Sequence, residues 1–345
     1  MGFGALFTAG VIGGGPWLYR AMGATGGALT AARTYTGIVF LGSIPLWLFN
    51  TLANVLRGTG NMAVPAWVTL AGALFPIAVS PALIYGWGPV PRLEVAGAGI
   101  AVVAYYVLGV LWLAGYLASG RGALTLAWRG IALRGGRFWE ILRVGLMSSA
   151  GSLLTNLTVI AVTGLVGTFG TAALAGYGIG SRLEYMQIPI IFGFGSALVA
   201  LVGTNIGAGR IARAHRVAWI GASLAGGVTL AIGGAAALWP LAWAGLFSAD
   251  PAVLEAALGY LRWVGPAYGF LGFGLALYFA SQGAGRMAWP LTAGVLRMAV
   301  AVAGSWVAVR WLGTGLTGIY VMLAVGMALF GPLIASSIRA GAWRR

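Results

Sequence analysis

The chain has 345 residues, of which 60% are hydrophobic and only 7% charged, against roughly a quarter charged in ordinary soluble domains. So few charges cannot clothe a soluble protein of this size, and with no Cys in the chain, soluble enzymes, disordered chains and disulfide scaffolds are excluded. The net charge of +15 comes from 20 Arg and no Lys, set mostly between apolar runs, which reads as anchoring at a membrane surface and not as nucleic-acid binding.

Crossing ~30 Å of hydrocarbon takes about 20 helical residues. Taken in chain order, runs of that kind lie near 3–19, 33–56, 64–86 and 95–118, then 139–166, 171–205, 217–240, 252–281, 288–310 and 315–337. Strands are excluded because the runs are long and do not alternate. The expected fold is therefore an all-α polytopic membrane protein of about ten transmembrane helices. Residues 119–138, the longest polar stretch, form a linker between a first bundle at 1–118 and a second at 139–345. Alternate loops carry 13 and 5 Arg, with Arg182 and Arg297 inside spans. The excess places the linker and the C-terminus in the cytoplasm. His215 lies in the charged stretch Arg210–Arg216 and reads as solvated, which leaves no His cluster for a metal. No cofactor is expected. Trp112, Trp128, Trp239 and Trp243 read as interface belt and core.

A repeat organises the chain. Gly58–Pro65 reads GTGNMAVP and Gly283–Pro290 reads GAGRMAWP, an offset of 225. The same register pairs Tyr35 with Tyr260 and Leu29 with Leu254, and 13 of the 44 positions from Met22 to Pro65 are identical. Further on the offset becomes 221, which pairs Val95 with Leu316. Both copies place the motif in loops of the same set, so the repeats are parallel, one of the standard plans of secondary transporters. The partners of 139–166 and 171–205 would precede Met1. The expectation is therefore an N-terminally incomplete chain, with twelve helices when complete, that does not complete a transport cycle by itself.

Five acids occur, and four of them, Glu94, Glu140, Asp250 and Glu255, sit in loops or at span ends. Glu184 stands ~13 residues into its span, ~20 Å from one end. A charge at that depth costs ~2.5–3.5 kcal/mol on insertion scales and faces a cavity or a partner. Tyr177 and Ser181 share its helix face, whereas Arg182, two residues away, does not. Arg297 is also at mid-depth. Two readings stay open: Glu184 locks against Arg297 or Arg182, or it titrates on a transport path. Pro189 removes a backbone bond and clashes with the carbonyl of Tyr185, predicting a kink just past Glu184; Pro76, Pro81 and Pro266 act likewise in their spans. Gly176 and Gly180 form a GxxxG packing face. Tyr177, Tyr185 and Met186 are candidates for a wall on which flat cations stack.

The two-half plan, Leu56–Asn61 (LRGTGN), Ser181–Tyr185 (SRLEY) and Val202–Gly209 (VGTNIGAG) together resemble the multidrug and toxic compound extrusion (MATE) transporters. The resemblance implies a monomeric antiporter of a bacterial-type inner membrane. It would export organic cations and drugs against Na⁺ or H⁺ and would not be an enzyme. Relatives often carry an N-x-x-x-D pair where this chain has Pro76 and Ser80, so the carboxylate position holds a neutral hydroxyl. Two alternatives remain: a lipid-linked saccharide flippase of related fold, and a membrane subunit without catalysis. The pathway candidates are Glu184, Arg182, Arg297, Tyr177, Ser181, Tyr185, Pro189 and Ser80.

Overall fold

A computed structural model describes residues 2–21, 26–87, 91–120, 122, 124 and 135–343. Arg121, Trp128, Arg129, Arg134, Arg344 and Arg345 lie outside the described residues, as does most of the expected linker; Arg20, Arg137 and Glu140 are described as backbone only. Among the described residues every regular element is a helix. The chain divides into two compact units, Met1–Ala132 and Leu133–Arg345.

The first unit contains α1 (Gly2–Ala21), α2 (Gly26–Leu41), α3 (Ser43–Gly58), α4 (Ala63–Tyr85) and α5 (Glu94–Ala118). The second contains α6 (Gly135–Gly167), α7 (Thr171–Gly207), α8 (Ile211–Leu238), the short α9 (Pro240–Ala244), α10 (Pro251–Val264) and α11 (Tyr268–Gly283). It ends with α12 (Ala288–Ala299), α13 (Ser305–Arg310) and α14 (Gly315–Arg339). Among the described residues, eight helical stretches are long and apolar enough to cross a membrane, and nine if α2 and α3, bent by 44°, count as one span. This is a multi-pass membrane protein. The expected run at 3–19 does form α1 but falls short of that test, because Gly13-Gly14-Gly15-Pro16 dilutes its apolar character.

The repeat extends to the helix ends. The offset of 225 carries the start of α2 onto that of α10, the end of α3 onto that of α11, and both ends of α4 onto Ala288 and Arg310. The offset of 221 carries both ends of α5 onto those of α14. One defect repeats as well. The bend at Gly42 corresponds to the 3₁₀ turn Gly265–Ala267 around Pro266. The π turn at Val300–Gly304 has no such partner, since the matching stretch of α4 around Pro76 stays α-helical. α7 runs as one α-helix through Pro189, whose side chain is exposed; a proline inside a membrane helix frees one backbone carbonyl without having to end the helix.

The loop motifs that carry the family resemblance are helix stops. Gly60, Gly209 and Gly285 all adopt left-handed backbone (φ 86°, 72° and 69°), which only glycine takes without strain. The next amide reaches back to the helix in each case: Asn61 to the Leu56 carbonyl, Arg210 to Asn205 and Arg286 to Ser281, at 3.2, 2.8 and 2.9 Å. These bonds satisfy carbonyls that a helix end leaves without partners.

Between helices in hydrocarbon, close packing replaces the hydrophobic effect. On α8 the buried residues Ala214, Ala218, Ala222, Ala225, Thr229 and Gly233 recur at helical spacing. Gly233 meets the backbone of Gly265, and Gly226 that of Gly269. The expected GxxxG face of α7 is used in the same way. A Cβ on Gly176 would come within 2.6 Å of Ala256 Cβ, and one on Gly180 would run into the Tyr260 ring. In the first unit, Phe49, Leu56, Leu113 and Leu117 form the core, with Phe49 lying over Gly109.

Candidate functional site

The second unit builds a polar centre inside its own core. Because α7 and α10 approach across Gly176 and Gly180, Tyr260 lies against α7 and its hydroxyl donates to Glu184 Oε2 at 3.0 Å. Tyr177, two turns before Glu184 on the same face, meets Tyr260 edge-on at 5.5 Å between ring centres. Tyr320 of α14 meets Tyr260 from another side at 5.4 Å. Tyr268 donates to the Gly180 carbonyl at 3.5 Å. All four rings are buried, and the Tyr260 hydroxyl that holds the carboxylate is itself packed against Tyr177 and Tyr320.

Arg297 of α12 lies beyond the 4.0 Å of an ion pair from Glu184, yet the two charges attract. Its guanidinium rests over the Phe330 ring at 5.5 Å. The lock expected as one reading is therefore not a contact pair, and Arg182 does not supply it either: its side chain is exposed, 5.3 Å over the Phe247 ring. Arg297 also lines a cavity of about 300 Å³. Phe192, Tyr278, Phe279 and Phe330 form its aromatic walls, and Ser148, Ser152 and Thr155 form a hydroxyl stripe one helical turn apart on α6. Gln282 donates to Ser148 Oγ at 2.9 Å.

The candidates thus separate. Glu184, Tyr177 and Arg297 share the centre. Ser181 is buried beside them and spends its hydroxyl on the Gly178 carbonyl at 3.2 Å. Tyr185, Met186 and Pro189 are exposed, so Tyr185 and Met186 do not continue the wall that Tyr177 belongs to. Ser80 is half-buried in α4 of the first unit. Its counterpart at the 225 offset is Ser305, fully buried just after the π turn, with a hydroxyl that makes no hydrogen bond among the described residues.

Trp243, read as belt or core, is half-buried, and its indole N–H donates to the Ile179 carbonyl at 3.0 Å. One peripheral reading changes. His215 is half-buried and packs edge-on against Trp343 at 5.1 Å between ring centres. Tyr260, Tyr268, Tyr320 and Ser305 were not singled out by sequence. For Tyr260 the signal existed, because its repeat partner is Tyr35; for the α6 stripe it was the spacing of Ser148, Ser152 and Thr155. Among the described residues no group of His, Cys, Asp or Glu could hold a metal ion.

Known proteins place this architecture. Solved structures described as "Crystal structure of MATE in the bent conformation" and as a "MOP superfamily transporter from Pyrococcus furiosus" share the fold. Their TM-scores are 0.90 and 0.91 at 22% and 21% identity, each over 99% of this chain and 76% and 77% of theirs. The "Probable multidrug resistance protein NorM" of Deinococcus radiodurans is 31% identical over 57% of this chain. The "FAD transporter" of Shewanella oneidensis is 29% identical over 76% of it. The aligned stretches span 43% and 58% of those two relatives' lengths. The sequence profile described as MatE matches residues 1–82 and 148–307, and with its helical repeat this chain belongs to that family, which is one of membrane transporters and not of enzymes.

Proposed function

We propose that the protein is a secondary active exporter of small organic molecules, organic cations and drugs among them. It works by alternating access against an inward flow of H⁺ or Na⁺, as a monomer in a bacterial-type cell membrane with its C-terminus in the cytoplasm. The observation that carries the reading is Glu184, a carboxylate held within a span by Tyr260 at 3.0 Å and attracting Arg297, which lines an aromatic cavity. The relatives' printed names support the substrate class, and the Arg bias supports the orientation.

Antiport requires ion and substrate to favour different states of the protein. While Glu184 is ionised it offsets the charge of Arg297, and the cavity accepts a flat cation between Phe192, Phe279 and Phe330. When Glu184 takes a proton, the guanidinium charge stands uncompensated and expels that cation. Two unit charges ~6 Å apart at an effective dielectric of ~20 interact by ~3 kcal/mol, about a hundredfold in affinity. That is enough to bias loading and release. Na⁺ would offset the carboxylate in the same sense.

The test is dye efflux from proteoliposomes holding the purified full-length protein under an imposed pH gradient, an imposed Na⁺ gradient, or neither. Gradient-dependent efflux that an ionophore abolishes is expected. Equal dye movement in all three conditions would overturn the coupled reading.

A further inference from the structure

At one end of the second unit, two arginines face one cavity that the transport site does not use. The cavity has a volume of about 400 Å³, and its walls include Arg143 of α6, Arg286 of the α11–α12 turn and Trp289. Among the described residues no carboxylate lines it and neither guanidinium has an ion-pair partner. Two exposed cations on one cavity wall repel, and no described residue of that wall offsets them.

The repeat shows that this arrangement is not required to build the turn. In the first unit the position of Arg286 is Asn61, a neutral cap. Its Oδ1 accepts from the Val64 amide at 3.1 Å and its amide donates to the Tyr116 hydroxyl at 3.1 Å. In the second unit α12 begins without a side-chain cap, and a cation replaces the cap. A positive charge at a helix N-terminus opposes the helix dipole, whereas an anion there is favoured. Arg286 thus gives up local stability for a positively charged mouth.

That mouth opens onto a mainly apolar groove, whose hydroxyls on Ser336 and Ser337 are spent on carbonyls of their own helix. A second cavity of about 450 Å³ runs along α12 and α14 past Thr292, Leu296 and Leu333, and it shares Trp289 and Ala342 with the first. A cationic pocket, an adjoining apolar trough and a Trp at their junction match a molecule with a negative head and a hydrocarbon tail at a membrane interface.

We propose that the two cavities bind an anionic phospholipid of the phosphatidylglycerol type, its phosphate between Arg143 and Arg286 and one acyl chain along the α12–α14 groove. The site lies apart from Glu184 and does not depend on what the protein transports.

Native mass spectrometry of the detergent-purified full chain tests this. The chain is titrated with dioleoyl-phosphatidylglycerol and dioleoyl-phosphatidylcholine, and thermal melting with inorganic phosphate runs in parallel. Each arginine near an anionic head is worth about fivefold, so the anionic lipid should be preferred about thirtyfold. R143Q/R286Q should erase that preference, and R143K/R286K, which retains the charges, should keep most of it. S336W, an exposed position on the groove, should weaken retention of both lipids. An unchanged preference in R143Q/R286Q would overturn the proposal. So would inorganic phosphate stabilising the protein as much as the anionic lipid does, since that would mark a simple anion site.

Discussion

Gly180 and Gly178 lie two residues apart on α7 and face opposite surroundings, which makes them a matched test of how the site is built. A Cβ on Gly180 would run into the Tyr260 ring, while one on Gly178 would meet nothing within 4 Å. Gly180→Ala must move a fully buried ring that also holds Glu184 at 3.0 Å. Overpacking of this kind costs ~1–3 kcal/mol. Both substitutions gain the same ~0.5–1 kcal/mol of helix propensity, so comparing them cancels that contribution. The contrast should be about 1–3 kcal/mol, or roughly 2–12 °C in melting temperature for a unit of this size. Gly178→Ala should melt at or above the wild type and Gly180→Ala below Gly178→Ala by that margin, measured by differential scanning fluorimetry in one detergent. Gly180→Ala should also slow gradient-driven efflux, because Tyr260 is displaced from the carboxylate. Equal melting temperatures for the two variants would refute the claim that α7 and α10 meet across Gly180.

Tyr320→Phe removes a buried hydroxyl that has no hydrogen-bond partner among the described residues; the melting temperature should stay level or rise, since no bond is lost and a desolvation cost disappears. Asp250 caps α10 by accepting from the Ala252 and Val253 amides at 2.8 and 3.4 Å, so Asp250→Ala should cost about 0.5–2 kcal/mol in melting experiments while Asp250→Asn retains most of the stability. Arg182→Gln should leave coupled efflux at the wild-type rate, because the side chain is exposed over Phe247 and has no part in the Glu184 centre.

Which segments are helices, and how they repeat, could be read from sequence because both follow from local chemistry. Long apolar runs fix the spans, and the GTG and GAG stops fix their ends through the left-handed glycines Gly60 and Gly285. Less of the site was legible. Glu184 stood out as an acid at depth and Arg297 as a cation at depth, since each is costly there. What surrounds them was not, because Tyr260, Tyr268 and Tyr320 are common apolar-belt residues until helix packing turns their hydroxyls inward. The reading of Arg182 failed only where it was paired with Glu184: helical geometry already separated the two, and the structure gives Arg182 a different ring. Pro189 is exposed within a continuous α7.

The most direct measurement of the coupling claim is pH-gradient-driven dye efflux by Glu184→Gln beside the wild type, in proteoliposomes of matched protein content, with melting temperature recorded on the same preparations. Glutamine still accepts a hydrogen bond from Tyr260 but carries no titrating charge. The account predicts that efflux loses its dependence on the gradient while the melting temperature shifts by no more than a few degrees. Wild-type efflux under the gradient would contradict a coupling role for Glu184, and a collapse in melting temperature would show the residue to be a structural lock.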